Sequence, residues 1–492
     1  MAGNNTVTLT AQDGDDDISL VEHITLTYPH SYTAESDALK FTAAPGDHIR
    51  VQGFTNTPSR LMDITDPANP IEVVARVVAQ PAGFALDVLV PAELSGTRTF
   101  LAVAADAMAS PVALVYNQPS NWHASQAGAQ VVMITDPAFV SQLTPLVNLR
   151  RSQGWSVAVV QTDDIFDEFN FGERSPQAIR DFLQNSTTQW QTPPQYVLLV
   201  GDASVDPNNY LGFGYFDFVP TKIIATSELM TACDDWFTEF ANDGIAQIPT
   251  GRLPVRTASD AALVVGKIVG YENNTASGTW MNQALLVADQ DDTESFTNDT
   301  LSVAALLPAS MQVTEVLAST MDAGTASQQI LAAINSGQLL VNYLGHGSVE
   351  VWSGEDLFDN DAAASLTNSN LSVFLLMDCL NGFFHDVYTE SLAEALLLSP
   401  NGGAVAVWAS SGLNNPPPQL QMDQQLIRAL VANPGIALGD AVQQGKMNIT
   451  DPDARQTYIL FGDPLLHLKS MSAAPVPAPQ PHRPVPVRQP LR

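Results

Sequence analysis

From residue 129 to residue 464 the chain repeats one pattern: a short run that is apolar throughout, then a stretch of helical periodicity. "AQVVMIT" precedes "DPAFVSQLTPLVNLRRSQ", "WSVAVVQT" precedes "SPQAIRDFLQNSTTQW", and "YVLLVGD" follows. A second round runs "ALLVAD", "MQVTEVL", "QLLVNYLGHG", "LSVFLLMDC", "GAVAVWASS" and "YILFGDP", with "TASQQILAAINS" and "SLAEALLLSP" as helical segments between them. Strands without polar alternation must be covered on both faces, and the intervening helices supply that cover, so the pattern predicts parallel α/β sheets. Ser175-Pro176 is a helix start, a hydroxyl cap followed by proline at the first helical position. The join between the rounds, near residues 272–282, divides the region into two parallel-sheet α/β subdomains, 119–275 and 276–470.

Before residue 118 the rhythm differs. "HITLTY", "HIRVQGF", "IEVVARVV" and "FALDVLVP" are separated by Pro, Gly, Asp and Asn, which predicts antiparallel strands and an N-terminal β-sandwich over residues 1–118. "NQPSNWHASQAG" reads as a linker, and the proline-rich residues 471–492 as an extended tail. A chain of 492 residues with 45% hydrophobic content has material for two or three cores. A net charge of −32 argues against a nucleic-acid partner and favours cationic partners or divalent ions such as calcium. No apolar run of about 18 residues is present, so no membrane span is expected. The start, "MAGNNTVTLT", lacks the basic and apolar parts of a signal peptide, which leaves a cytoplasmic chain or one that begins after its export signal. The two cysteines, Cys233 and Cys379, exclude a disulfide scaffold and a Cys-rich zinc site.

The chemistry concentrates at strand ends, where parallel α/β sheets gather their ligands. In "VNYLGHGSVEVW" an apolar strand delivers His346 between Gly345 and Gly347; 33 residues later "LSVFLLMDC" delivers Cys379. Singly, such a cysteine is a small buried hydrophobe and such a histidine a polar turn residue. Together at successive strand ends they are predicted to face one cleft, with the glycines admitting a substrate backbone. Asp378, one residue before Cys379, is predicted to point the other way and is given no catalytic part. "GDASVDPNNY" and "VADQDDTESFTND" are acidic loops at strand ends, read as solvated or as structural calcium sites. "WASSG" offers Ser410 or Ser411 as a rival nucleophile but lacks the Gly-x-Ser-x-Gly elbow that hydrolysis would need.

With these residues in view the sequence resembles the gingipain family of cysteine peptidases, within the caspase-like α/β peptidases. "YVLLVGDAS", "IPTGRLPVRT", "NYLGHGS" with Trp352 after it, "MDCLNG", "LAEALL", "AVAVWASS" and "ILFGDPLL" carry the likeness in order, across roughly residues 125–470. The resemblance implies a cysteine endopeptidase acting on proteins or peptides, with no cofactor required for chemistry, on an exported or surface protein. It implies Cys379 as nucleophile, His346 as catalytic histidine, and the N–H groups of Gly347 and Cys379 as oxyanion donors. Asp291 is the expected acidic partner of the histidine, with Asp289 and Asp292 beside it. Trp352, Ser410, Ser411, Gly412 and Phe296 are expected at the substrate. Phe296 falls near the place of the family's specificity aspartate, with Asp299 as a substitute, so strict cleavage after arginine is not expected. The alternative is a catalytically silent surface or binding protein on the same fold.

Overall fold

The computed structural model describes residues 6–8, 10, 30–92, 95–110, 119–124, 127–275 and 277–469. The expected strand "HITLTY", parts of the linker and the proline-rich tail lie outside the described residues. The chain divides into two compact units, Met1–Asn117 and Gln118–Arg492.

The first unit is a β-sandwich. Ala38–Ala43, Arg98–Ala104, Pro58–Asp63 and Ile71–Glu72 form one antiparallel sheet in that spatial order; His48–Phe54, Gly83–Leu89 and Arg76–Gln80 form the other. Phe41, Leu61 and Phe100 from the first meet Ile49, Val51, Phe54 and Val88 from the second in one core. The spacing from Val51 to Phe54 breaks the two-residue alternation, and a bulge between them restores Phe54 to the inside. Gly53 makes the bulge, at φ +85° and with the Ala34 carbonyl oxygen 2.8 Å from where a Cβ would stand.

In the second unit ten strands form one sheet. In chain order they are β1 (Val131–Thr135), β2 (Val157–Gln161), β3 (Tyr196–Val200), β4 (Thr250–Leu253), β5 (Gln283–Ala288), β6 (Gln312–Leu317), β7 (Leu340–Leu344), β8 (Ser372–Met377), β9 (Ala404–Ser410) and β10 (Tyr458–Phe461). Their spatial order is β6-β5-β7-β8-β9-β10-β4-β3-β1-β2. All neighbours are parallel except β9 and β10. The two rounds read from the sequence are therefore the two halves of a continuous sheet, running in opposite directions and fused where β10 pairs with both. Strand β4, inside "IPTGRLPVRT", is too short and too polar to stand out as a strand. Five helices matter below: α1 (Pro176–Gln189), α2 (Phe296–Ala304), α3 (Ala323–Ser336), α4 (Leu392–Leu398) and α5 (Pro416–Ala432). The Ser175 side chain caps α1 as expected, and Ser391 with Glu394 forms a capping box on α4. Every residue of β7, β8 and β9 is buried, which is the physical reason those strands are apolar throughout. Among the described residues no helix is long and apolar enough to cross a membrane.

Candidate active site

Strand register brings the two candidate side chains level. Leu344 of β7 pairs with Met377 of β8, and two residues beyond each stand His346 and Cys379. The Gly345 N–H donates to the Met377 carbonyl at 3.3 Å, so the strands stay paired up to the point where the loops begin.

The two glycines have a reason the sequence did not reveal. A Cβ on Gly345 would stand 2.3 Å from the Tyr343 hydroxyl and 2.5 Å from the Asp289 Cβ. A Cβ on Gly347 would stand 2.6 Å from Asp378 Oδ2 and 2.7 Å from the Cys379 carbonyl oxygen. Neighbouring strands of the protein itself occupy the room the glycines leave, where a substrate backbone was expected.

His346 is held through its backbone and by two side chains at its ring. Its N–H donates to Asp289 Oδ2 at 2.9 Å, and its carbonyl accepts from the Tyr343 hydroxyl at 2.7 Å. The Phe296 ring meets the imidazole edge-on at 5.2 Å. Imidazole Nε2 lies 2.9 Å from Asp292 Oδ2, and both side chains are about half exposed. The N–H of Glu294 and the imidazole hold the Asp292 carboxyl below the usual range. Asp291, the expected partner, is spent elsewhere: its Oδ1 accepts from the Thr297 N–H in the first turn of α2, which has no side-chain cap of its own. The acid beside the imidazole is Asp292.

Cys379 is partly buried, and its sulfur is bracketed by the N–H and carbonyl of Asn414 at 3.4 and 3.5 Å. Burial pushes the thiol up to about 11, with Asp378 adding to the shift. The next residue, Leu380, has φ +63°, a left-handed conformation that a leucine rarely adopts. It is held by its N–H to the Gly412 carbonyl and by the following Asn381, whose amide donates to the carbonyls of Ser348 and Val351. Asn381 thereby ties the loop of the cysteine to the hairpin of the histidine. The Cys379 N–H donates to no group among the described residues.

Several expected substrate residues are internal. Trp352 is fully buried and stacks on Tyr343 at 4.4 Å, forming the floor under the histidine. Phe296 is 2% exposed and supports the imidazole. Ser410 and Ser411 are fully buried, with hydroxyls donating to the carbonyls of Gly412 and Ala232, which also removes them as nucleophiles. Gly412 is buried against Thr457, whose Cγ2 would lie 2.7 Å from a Cβ there. In each case an apolar or tightly bonded neighbour, absent from the local sequence, takes the side chain inward. Asn414, which does border the thiol, carried no signal beyond its place near the motifs, whereas Asn381 stood within "MDCLNG" and its tie to the histidine hairpin was not legible there.

Beside the histidine a groove of about 600 Å³ runs along the small sheet of Gly347–Ser348, Val351–Trp352 and Phe358–Asp359. Glu350, Asp356, Asp359 and Asp361 line it together with His346, and no lysine or arginine does. As for calcium, the carboxylates of the acidic loops serve the backbone: Asp206 accepts from the N–H groups of Tyr210 and Leu211, and Asp292 from that of Glu294. Among the described residues no group of three or more His, Cys, Asp or Glu side chains is placed to hold a metal ion.

Known proteins share this arrangement of segments. Residues 124–469 match the model of peptidase family C25. Gingipain R2 of Porphyromonas gingivalis is 24% identical over 362 residues, covering 70% of this chain and 46% of that protein. Gingipain R1 of the same species is also 24% identical, over 34% of its length, so the chain spans less than half of the curated relatives it matches. The crystal structure of the Arg-specific cysteine proteinase gingipain R superposes with a TM-score of 0.59 at 22% identity, over 72% of this chain and 81% of that one. A structural likeness at this identity is one of fold, and the agreement of fold, family model and motif order places the chain in peptidase family C25, the gingipain-type cysteine peptidases.

Proposed function

We propose that this chain is a cysteine endopeptidase in which Cys379 is the nucleophile and His346 the proton carrier. The observation that carries the reading is the common level of the two residues on adjacent parallel strands, two positions past the Leu344–Met377 pair. A scissile carbonyl between them would meet sulfur on one side and imidazole on the other. The thiol is protonated at rest, because burial holds it near 11. His346 therefore takes the proton as sulfur attacks, with Asp292 steadying the imidazolium that forms. The N–H groups of Gly347 and Cys379 receive the oxyanion. His346 then protonates the leaving amine, and water releases the acyl group from sulfur.

Peptides are the substrate class. The acid-walled groove next to His346 favours basic over acidic side chains through its charge, without the single buried carboxylate that would demand arginine. The test is peptide hydrolysis by three proteins. Cys379→Ala is expected to abolish turnover with a thermal midpoint near that of the parent, and Cys233→Ala to retain it. Undiminished hydrolysis by Cys379→Ala would falsify the mechanism.

A further inference from the structure

Directly before the thiol stands Asp378, whose side chain is completely buried and neither of whose carboxyl oxygens has a hydrogen-bond partner among the described residues. Its Oδ2 occupies the space a Cβ on Gly347 would need, so the carboxyl lies under the backbone that carries one oxyanion donor and next to the residue that carries the other. Donors do approach Asp378, but they go to its main-chain carbonyl: the Gln419 amide at 2.7 Å from α5, and the Tyr458 hydroxyl at 3.2 Å from β10.

The titratable groups that face it are all acids. Asp289 comes from the end of β5, Tyr343 from β7 and Tyr458 from β10, with Asp423 of α5 next to Tyr458, and Cys379 follows in the chain. The imidazole of His346, which follows Gly345 in the adjoining loop, directs its Nε2 to Asp292. The contrast with Asp289 is informative. Asp289 is equally buried but accepts from the N–H groups of His346 and Gln290. One carboxyl of the pair has the donors of an anion, and the other has no donor from any other residue, only its own N–H nearby. A carboxylate with neither donor nor cation is strongly disfavoured inside a protein and keeps its proton instead.

We propose that Asp378 is a positioning residue that works as an uncharged acid, supporting Gly347 from below while leaving Cys379 free to ionise, and that a negative charge on it suppresses the thiol. The inference rests on Cys379 being the reacting thiol of the proposed function. Burial and Asp289 both push the Asp378 carboxyl well up, and a charge there would oppose a thiolate one residue away.

The experiment follows alkylation of Cys379 by iodoacetamide against pH, with the modified peptide identified by mass, in the parent chain and in Asp378→Asn. The amide copies the shape of the uncharged acid and cannot ionise. The two rates are expected to agree at the acidic end of the profile and to separate as pH rises, with the variant faster by about threefold or more once Asp378 has lost its proton. Profiles that coincide throughout would show that Asp378 does not act on the thiol. A constant offset across the whole profile would show a permanent charge, and either result overturns the proposal. Asp378→Ala, also uncharged, is expected to separate from the parent in the same way. Failure of both variants to fold would count against it as well, since the site is proposed to hold an uncharged group. Because iodoacetamide needs no peptide substrate, a chain that alkylates as expected but cleaves nothing would sink the peptidase reading and leave this one standing.

Discussion

At the scale of single residues the site is built from close approaches, and each approach makes a distinct prediction. Asp291 and Asp292 are adjacent in sequence and do different work. Asp292→Asn is expected to lower kcat about tenfold, equivalent to about 1.4 kcal/mol of transition-state stabilisation, with an unchanged thermal midpoint because the pair with His346 is solvent-exposed. Asp291→Ala removes the acceptor for the Thr297 N–H and is expected to cost about 1 kcal/mol of stability while leaving kcat in place. A larger kcat loss in Asp291→Ala than in Asp292→Asn would reverse the assignment. Gly347→Ala is sterically severe, because one of the atoms in its way is the Cys379 backbone oxygen, which cannot rotate aside. Hydrolysis by Gly347→Ala at the parental rate would mean that the two loops are not held at this separation.

The elements decide which surfaces a substrate meets. Strands β5, β7, β8 and β9 end together, so the loops that follow them surround the cysteine, while the small three-stranded sheet after β7 extends away as the acidic groove. Glu350 and Asp356 are exposed on that groove, and Asp356 has φ +58°, a conformation asparagine tolerates. The double variant Glu350→Gln, Asp356→Asn is expected to raise KM several-fold for peptides rich in lysine or arginine with little change in kcat, since uniform binding is what the groove contributes. The preference should weaken with added salt, because exposed charges are screened. Exclusive cleavage after arginine in a randomised peptide library, insensitive to the double variant, would place specificity elsewhere.

On the scale of the whole second unit, buried charges tie the half-sheets together. Arg150, fully buried, meets Asp463 at 2.7 Å and Glu272 at 2.6 Å, joining a helix of the first half to the turn after β10. Asp463→Asn is expected to cost about 3 kcal/mol by denaturant unfolding, because it leaves the guanidinium short of a partner. Burial also raises Asp217 to about 6 and Asp423 to about 7. For a carboxyl raised in the folded state, the stabilising contribution is complete below the unfolded value near 3.9 and is lost as pH rises through the folded value. The contribution of these two carboxyls is therefore expected to decline between about pH 4 and pH 7, against the opposite trend of His385, whose imidazole burial pushes down to about 3, and Asp423→Asn is expected to make the thermal midpoint fall less over that range than in the parent. A pH profile that Asp423→Asn leaves unchanged over this range would contradict the protonated state of that carboxyl.

The sequence by itself determined most of the elements, the fold class and the two candidate residues at the strand ends. A strand covered on both faces must be apolar along its whole length, and that requirement is local enough to read for β1, β3, β5, β7, β8 and β9. His346 and Cys379 were legible because they interrupt such runs at the same end. What surrounds them was not, because contacts between segments distant in the chain leave no local periodicity. Only the tertiary structure decided that the two α/β rounds share one sheet through β10, since a short strand can pair with either half until both are present. Only it decided that Asp292 rather than Asp291 faces the imidazole, because one residue of loop geometry, fixed by the start of α2, turns one carboxyl outward to the ring and the other to the helix. Trp352, Phe296 and Ser411 went inward for the same reason. Aromatic rings and hydroxyls suit a substrate cleft or a core equally well, and the choice between them is made by the neighbours that the folded chain supplies.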